Sequence, residues 1–414
     1  MRIGYLIPEF PGQTHIFFWR EIQELRQRGV DVDIISTRRP PRGIISHRWS
    51  QEAMDRTIYL SELDAAGVTQ TATALLRSGP AGWTRCAASL LRADGISVAG
   101  RARLGAVALL GARLAEIGRR RGWTHLHVHS CADSAHLALF AKLLSGLSYS
   151  LTLHGNLDRF GTNHREKWRH AEFAVVVNHV LLDEVNTTLA GALPAAVVVA
   201  PMGVDTERCR RQTPYAPWRG EGPLRIVSCG RLNPVKGHAD LIAAVQQLRS
   251  EGLDARLEIL GQDDQGGTGY RHDLEALIAR GALQGVVVLR GALSEEGVFA
   301  ALEGAHLFAL ASLWEAVGVA TVEAMAMSVP SVVTGVGGVP ELISDGVDGL
   351  LIPPQNPAAL AAALGRVARN PDLAQRLAAA GRDKVEREFH SGRSAAAIAS
   401  LLAEAPGFPA PVFA

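Results

Sequence analysis

The sequence lacks long uncharged apolar runs, paired cysteines and any marked excess of one charge. No run approaches the roughly 18 apolar residues of a membrane-spanning helix, and the short apolar run after Arg2 does not fit a signal peptide. We therefore expect a cytoplasmic protein. A formal net charge of +1 is unlike the basic excess of nucleic-acid-binding proteins, so we expect no nucleic-acid partner. The four cysteines have no CxxC spacing, which is typical of reduced, buried thiols.

What is present is a regular alternation of short β-rich runs and helical segments. A chain of 414 residues exceeds one ordinary core and suits two domains of roughly 150–200 residues. Alternation at this spacing is typical of βαβ units and parallel sheets. The sequence predicts two Rossmann-like, doubly wound α/β domains, at 1–200 and 223–385. Residues 201–222, rich in Pro, Gly and Arg, are predicted to form a linker, and 386–414 a C-terminal helix and tail.

Strands are predicted on both sides of the linker. They are Ile3–Ile7, Val32–Ser36, His125–His129, Ser150–His154, Ala174–Asn178, Ala196–Val199, Arg225–Cys229, Arg256–Leu260, Val286–Leu289, His306–Ala309 and Ser331–Val333. A glycine-rich loop is predicted at Gly261–Tyr270. The segment Thr37–Gly122 is less regular and ends in an Ala-, Leu- and Arg-rich helical stretch, Arg101–Arg121. This stretch could make peripheral contact with an anionic membrane; the preferred alternative is a surface helix of a cytosolic domain.

The loop Gly230–Gly237, GRLNPVKG, lies between a predicted strand and a predicted helix. Ligands of open parallel sheets bind at the carboxyl ends of the strands, where this loop begins. Its glycines allow close approach of the backbone to a ligand, and Arg231 and Lys236 supply two positive charges suited to phosphate. A solvent-exposed basic turn remains the alternative for this loop taken alone.

A pair of glutamates, Glu315 and Glu323, is separated by seven residues. Gly318 is predicted to begin a helix, so that the peptide N–H groups near Gly318 and Val319 could meet an anion. The two carboxylates could accept hydrogen bonds from sugar and ribose hydroxyls. The glycine-rich segment Gly335–Gly349 follows the next strand, and its departure from GxGxxG disfavours a dinucleotide-dependent dehydrogenase.

In this order and spacing, the second half resembles family 4 glycosyltransferases. The resemblance rests on GRLNPVKG, on the Glu-x7-Glu pair continued as EAMAMSVPSVVTGVGGVPELISDGVDGLLIPP, and on the closing helices. It implies the GT-B fold, in which two Rossmann-like domains face each other across a cleft, with the last helix returning to the first domain. It also implies retaining transfer from a nucleotide diphosphate sugar, which serves as co-substrate, without a cofactor or bound metal.

The resemblance also assigns roles to individual residues. Arg231 and Lys236, after Gly230, match the diphosphate clamp, and Glu315 and Glu323 match the contacts to the donor sugar and the ribose. Gly318 and Val319 match the family's Phe-Gly-Leu segment, although Val317 replaces the aromatic residue. The loop Arg290–Leu293, including Leu293, is the candidate for recognition of the base.

The first half resembles the family's exopolysaccharide and colanic-acid-type subgroup. The loop ending at His15 precedes REIQELRQRG, and Gly12 stands where many relatives carry a Gly-Gly pair against the donor phosphate. His154 and Asp158 match the family's histidine-Ala/Gly-x-x-Asp segment. His154 is predicted to help position the sugar, and Asp158 to contact the acceptor.

The strand His125–His129, HLHVH, places three imidazoles on one strand face. Metal binding is conceivable, but no carboxylate of matching spacing is apparent, and the resembling subgroup carries H-x-H without a metal. We predict no metal site and expect His129 to line the cleft. Asp31-Val-Asp33 spells the DxD of metal-dependent glycosyltransferases; because it lies at the entry end of a strand, we interpret it as solvated acids.

The predicted function is therefore glycosyl transfer to a carbohydrate, lipid-linked sugar or small hydroxyl acceptor, in polysaccharide, glycolipid or glycoside biosynthesis. Two alternatives remain: a nucleotide-sugar epimerase of GT-B-like fold and a catalytically silent nucleotide-sugar-binding subunit.

Overall fold

The computed structural model describes residues 1–12, 14–40, 48–62, 65–263 and 269–404. The predicted tail from 405 and residues 264–268 of the predicted glycine-rich loop lie outside these ranges. The chain divides into two compact units. The first contains the strands up to Pro201 together with the final helix from Ser394, and the second contains Met202–Arg393.

The first unit is built on a seven-stranded parallel sheet. Its strands are β1 (Arg2–Glu9), β2 (Asp31–Arg38), β3 (Thr57–Tyr59), β4 (His125–His129), β5 (Tyr149–Leu153), β6 (Phe173–Val176) and β7 (Ala196–Val199). Their order in the sheet is β3-β2-β1-β4-β5-β6-β7, with β1 pairing Gly4 to Asp33 of β2 and to Leu126 of β4. Near-continuous apolar strands fit a sheet that is buried on both faces.

Helices connect these strands as parallel pairing requires. They are α1 (Ile16–Gln27), α2 (Ser50–Arg56), α3 (Ala65–Arg92, broken at Gly79), α4 (Val98–Arg121), α5 (Asp133–Ser145), α6 (His164–Arg169) and α7 (His179–Thr188). The final helix of the described chain, α15 (Gly392–Glu404), buries Ala395, Ile398 and Leu402 in the core that contains Ile3 and Ile22.

The second unit is built on a six-stranded parallel sheet. Its strands are β8 (Leu224–Cys229), β9 (Ala255–Leu260), β10 (Val287–Gly291), β11 (Leu307–Leu310), β12 (Ser331–Thr334) and β13 (Leu350–Ile352), in the order β10-β9-β8-β11-β12-β13. The helices are α8 (His238–Ser250), α9 (Tyr270–Arg280), α10 (Glu295–Gly304), α11 (Val319–Ala326), α12 (Val339–Leu342), α13 (Pro357–Ala368) and α14 (Pro371–Glu388). The prediction of two doubly wound parallel-sheet domains is confirmed.

Each sheet reverses its strand order once, between β1 and β4 in the first unit and between β8 and β11 in the second. Open α/β sheets bind ligands outside the carboxyl ends of the strands at such a point. In the first unit the loop after β1 and the end of β4 meet there, and in the second the loops after β8 and β11. The two reversals therefore select the residues from which a site can be built.

The sequence did not predict two strands, β3 and β13, or two helices, α2 and α3. β3 and β13 have only three residues each, too few to show a period. α3 occupies 28 residues of the segment interpreted as irregular; Gly79 has non-helical dihedral angles, so that two helices meet there at a kink before Pro80. The predicted linker contains no helix or strand, yet it packs on the second unit: Tyr215 is buried and donates a hydrogen bond to the His306 carbonyl.

Candidate functional site

The loop after β8 is held by two close backbone approaches that only glycine allows. A Cβ on Gly237, whose φ is +63°, would lie 1.9 Å from the Ala311 carbonyl oxygen. A Cβ on Gly261 would lie 1.9 Å from the Gly230 carbonyl oxygen. The Leu313 N–H also donates to the Val235 carbonyl, at 2.7 Å. The loops after β8, β9 and β11 are therefore locked together at the strand-order reversal.

Lys236 and Glu315 form an ion pair at this place. The Lys236 ammonium donates to Glu315 Oε1, and the Ser312 hydroxyl donates to the same oxygen at 2.8 Å. The lysine and glutamate side chains are 18% and 11% exposed, so both remain accessible from solvent. The sequence predicted both residues as ligand contacts but not their pairing, since 78 residues lie between them.

The glutamate loop is supported from behind by the glycine-rich segment after β12. A Cβ on Gly337 would lie 2.0 Å from the Glu315 carbonyl oxygen, and the Gly338 N–H donates to that oxygen at 3.0 Å. Gly318 adopts a left-handed conformation with φ of +81° and caps α11, which begins at Val319 as predicted. First-turn N–H groups have no intrahelical acceptor, so this end of α11 favours an anion.

Glu323 lies one turn further into α11 and is 8% exposed. Its carboxylate is close enough to Cys229, the last residue of β8, for its charge to affect the pKa of that thiol. Burial raises the pKa of Cys229 to about 12; the Glu323 charge also raises it and the Lys236 charge lowers it. Glu323, Cys229 and Lys236 therefore share one electrostatic neighbourhood.

The remaining predicted donor contacts lie nearby but differ in exposure. Arg231 has an exposed side chain, and its carbonyl accepts a hydrogen bond from His238 at 3.1 Å. Arg290 pairs with Glu258 at 3.0 Å on the neighbouring strand, and Leu293 is half-buried. The Arg290–Leu293 loop is nevertheless tied to the Gly230 loop, because the Gly261 N–H donates to the Gly291 carbonyl at 2.8 Å.

In the first unit, the three histidines of β4 are fully buried and hydrogen-bonded along the strand. His125 lies 2.8 Å from the Ser150 hydroxyl, and His127 lies 2.7 Å from Ser150 and 2.9 Å from Thr152. His129 Nδ1 lies 2.9 Å from His154 Nε2, at the end of β5. The structure therefore brings together the two histidines that were predicted from separate motifs.

A carboxylate, Glu21 of α1, closes this network. It is 1% exposed, accepts a hydrogen bond from the Tyr5 hydroxyl at 2.5 Å, and lies 3.3 Å from His129 Nε2. Burial lowers the pKa of His129 well below its usual value, so the ring is neutral. His129 Nε2 faces Glu21 at that distance without a hydrogen bond. One of the two rings donates a proton in the contact between His129 Nδ1 and His154 Nε2.

A carboxylate that sequence spacing did not reveal, Glu21, accompanies the histidines. Ligand atoms of Glu21, His127 and His129 lie within 4.8 Å of one another, close enough to hold a metal ion. Sequence spacing did not reveal Glu21, because it lies in α1, more than 100 residues before the histidines of β4. In the structure both ring nitrogens of His127 already have hydroxyl partners, so a metal would have to displace hydrogen bonds.

The other predicted contacts of the first unit, Gly12 and Asp158, differ in exposure. Gly12 is buried, and a Cβ there would lie 2.6 Å from the His15 ring. Asp158 is exposed on a short 3-10 helix, Leu157–Phe160. The short helix that follows Asn163 is tightly packed: Lys167 is fully buried and donates to the Cys131 carbonyl at 2.5 Å.

The Asp31–Asp33 pair lies at the amino end of β2, away from the strand-order reversal. Asp31 is exposed and pairs with Arg2 at 2.6 Å. Asp33 is not solvated as expected, because it accepts a hydrogen bond from the Trp123 indole at 2.7 Å and its side chain is 17% exposed. Both acids are thus engaged in local contacts.

The arginines of Arg101–Arg121 are held by protein partners. Arg113 is buried and donates to the Leu60 carbonyl at 2.7 Å, and Arg119 and Arg120 pair with Glu116. Arg103 pairs with Asp133, and Arg101 donates to the Ala93 carbonyl. No helix among the described residues has the length and hydropathy to cross a membrane.

Comparison with known proteins assigns the second unit to a family. Residues 217–384 match the family described as Glycosyl transferases group 1. The second unit is a group 1 glycosyltransferase domain. The family resemblance seen in GRLNPVKG and the Glu-x7-Glu pair is thereby confirmed. The family match begins in the segment predicted as a linker, and it contains every donor contact predicted for the second half of the chain.

The chain is also similar to curated proteins that are named as glycosyltransferases. The chain is 33% identical over 219 residues to WcaL of Salmonella typhimurium, which is named as a colanic acid biosynthesis glycosyltransferase. That alignment covers 51% of this chain and 52% of the relative. The chain thus spans about half the length of the curated relatives that it matches first.

Solved structures agree on the fold over nearly the whole chain. Sucrose-phosphate synthase of Thermosynechococcus elongatus superposes with a TM-score of 0.72 at 18% identity, covering 97% of this chain and 98% of its own. HepE of Anabaena, whose structure contains UDP-glucose, superposes with a TM-score of 0.72 at 16% identity. The superposition covers 97% of this chain and 99% of HepE. The chain has the GT-B fold.

Proposed function

We propose that this chain is a retaining glycosyltransferase that moves a sugar from a nucleotide diphosphate sugar to a hydroxyl acceptor. The observation that carries the proposal is the Lys236–Glu315 pair beside the start of α11, inside a group 1 glycosyltransferase domain. The polysaccharide pathways named for the relatives favour an acceptor in polysaccharide or glycolipid assembly.

The donor diphosphate would bind to Arg231, Lys236 and the first-turn N–H groups of α11. When the bond between the anomeric carbon and the diphosphate oxygen breaks, its electron pair stays on that oxygen. Preorganised positive groups stabilise this growing charge most strongly in the transition state. Lys236 would exchange Glu315 for phosphate on donor binding, and Glu315 would then be available to accept hydrogen bonds from the sugar hydroxyls.

Retention through a covalent intermediate requires a carboxylate nucleophile close to the anomeric carbon. We assign Glu315 and Glu323 to hydroxyl contacts rather than to that task. We therefore propose front-face attack, in which the acceptor oxygen bonds to the anomeric carbon on the side that the diphosphate leaves. The acceptor proton passes to the departing phosphate oxygen, so no protein base and no metal is needed.

His154 would orient a hydroxyl group of the sugar or the acceptor. In this scheme the charge of Glu21, 3.3 Å from His129 Nε2, would favour the Nε2–H tautomer of His129 and, through His129 Nδ1, the Nε2–H tautomer of His154. His154 would then present Nδ1 as a hydrogen-bond acceptor. A hydroxyl bound there would have its oxygen lone pairs directed away from the ring, ready for attack. Glu21 and His129 are positioning residues in this scheme, since they act through His154.

Binding and product analysis test the proposal together. Thermal shift should first use UDP-glucose, the ligand of HepE, and then GDP- and ADP-sugars, because ligand binding raises apparent stability. The donor that binds should be hydrolysed slowly without acceptor, and the released sugar should initially keep the donor's anomeric configuration. Return of an isomerised nucleotide sugar would indicate an epimerase. Binding with neither transfer nor hydrolysis would indicate a silent subunit; either result overturns the proposal.

A further inference from the structure

Glu315 receives two hydrogen bonds on one of its carboxylate oxygens, from two side chains of different kinds. The Lys236 ammonium and the Ser312 hydroxyl both donate to Oε1, the hydroxyl at 2.8 Å. Among the described residues none donates to Oε2, and the Glu315 side chain is 11% exposed. Oε2 is therefore the oxygen that an incoming hydroxyl group can reach.

Ser312 is buried and is anchored to the sheet. It follows β11, and its carbonyl accepts a hydrogen bond at 2.6 Å from the hydroxyl of Thr334, the last residue of β12. Both residues are 1% exposed, and β11 and β12 are paired in the sheet. A serine side chain has a single carbon–carbon torsion with three staggered positions, so an anchored backbone leaves its oxygen little freedom.

Lys236 reaches the same oxygen of Glu315 in a different way. It comes from the loop after β8, its side chain is more exposed than that of Ser312, and its ammonium is carried on a flexible four-carbon stem. In the proposed reaction this ammonium leaves Glu315 for the diphosphate. Among the described residues, Ser312 would then be the one that still donates a hydrogen bond to the Glu315 carboxylate.

We propose that Ser312 is a positioning residue for glycosyl transfer: its hydroxyl holds Glu315 Oε1 after Lys236 has moved to the diphosphate, so that Oε2 stays available to a sugar hydroxyl. This inference rests on the proposed function and adds the residue that orients its sugar contact. Without Ser312, the carboxylate released by Lys236 would exchange among several rotamers. The sugar would then meet the productive rotamer only part of the time, which lowers the rate of transfer.

Ser312→Ala tests this in the full chain, with the nucleotide sugar that thermal shift selects. Its kcat should fall by about tenfold, the effect of losing one hydrogen bond to a charged group. The affinity for the matching nucleoside diphosphate, measured by titration calorimetry, should stay within about twofold, because the phosphate contacts are untouched. The melting temperature should change little. Ser331→Ala is the matched control: Ser331 is also buried in the second unit, but its hydroxyl donates to the Val329 carbonyl, so kcat should be unchanged.

A second measurement separates positioning from a structural role. In a Glu315→Gln background Ser312 would donate to a neutral amide oxygen, and such a hydrogen bond has about half the strength of one to a carboxylate. Ser312→Ala should therefore lower kcat only about threefold in that background.

Equal losses in the two backgrounds, or a loss that comes with weaker nucleotide binding and a lower melting temperature, would indicate a structural role and overturn the proposal. Unchanged turnover of Ser312→Ala beside an active native chain would overturn the role of Ser312 alone. A native chain that transfers no sugar would overturn the proposed function and this inference with it.

Discussion

The two units have sheets that reverse their strand order in the same way, yet the polar groups at the two reversals differ in kind. In the second unit a lysine and a glutamate form an ion pair that solvent reaches. In the first unit the three imidazoles of β4 are buried completely; they contact hydroxyl groups of β5, the half-buried His154 and, without a hydrogen bond, Glu21. Burial keeps the pKa of His154 at about 3 and that of His125 at about 3, so neither ring is charged at neutral pH.

This difference suggests that the two networks have different tasks: the second unit stabilises a changing charge, and the first unit orients a side chain. Accessible opposite charges can exchange partners when a phosphate arrives, which suits a group whose charge changes during reaction. A buried neutral network cannot exchange partners cheaply, because an unsatisfied buried polar group costs about 1–3 kcal/mol. It suits the fixed orientation of one side chain, His154, that lies at its end. Substitutions in the two networks should therefore change different kinetic constants.

The largest effect is expected at Lys236. Lys236→Ala should lower kcat/KM for the donor by about 100-fold or more, because it removes a preorganised positive charge from the leaving group. Steady-state kinetics with saturating acceptor measure this. Arg249→Ala, which removes an exposed arginine paired with Asp254, is the control and should leave turnover unchanged. If EDTA and Asp31→Ala both abolished activity, the metal-free clamp would be wrong.

The sequence predicted the second unit better than the first for a physical reason. Its ligand contacts lie in two short segments, 230–237 and 315–323, where turn glycines, charges and a helix start occur together. The Lys236–Glu315 pair could not be predicted from the sequence, because it depends on how the loops after β8 and β11 pack together. The close approach of Gly237 to Ala311 fixes that packing, and no local sequence pattern reveals it.

In the first unit the decisive contacts are between elements that are distant in sequence. The H-x-H strand was predicted with its exact bounds, but its carboxylate comes from α1 and its hydroxyl partners from β5. α3 was missed because Gly79 and Pro80 break its pattern and because its apolar residues point outward, against the usual burial. Periodicity alone does not say which face a helix buries.

Glu315→Gln should distinguish the role of Glu315 from that of Lys236. It weakens the contact to a sugar that gains positive charge in the transition state, so kcat should fall by about 30- to 100-fold. The same change frees Lys236 from its partner, so nucleotide diphosphate should bind a few-fold more tightly. Titration calorimetry with UDP and GDP measures the affinity. Weaker binding together with a lower melting temperature would instead indicate a buried structural pair.

Glu323→Gln should have the opposite signature within the same unit. If Glu323 holds the ribose, it contacts a part of the donor that does not change during reaction. The donor KM should then rise by about tenfold with kcat nearly unchanged, the pattern of uniform binding. Equal losses in kcat for Glu315→Gln and Glu323→Gln would remove the distinction between their roles.

The smallest effect is expected at Glu21, which acts only through His129 and His154. Glu21→Leu removes the charge that we propose favours both tautomers, so kcat should fall and the acceptor KM should rise by about five- to tenfold while the donor KM stays constant. Nitrogen-15 NMR of labelled histidines should show His154 as the Nε2–H tautomer in the native chain and as a mixture in Glu21→Leu. Glu21→Gln keeps a carbonyl acceptor for Tyr5 and His129 and should restore both readouts. A network that is merely structural would lower the melting temperature of Glu21→Leu and leave the His154 tautomer as it was.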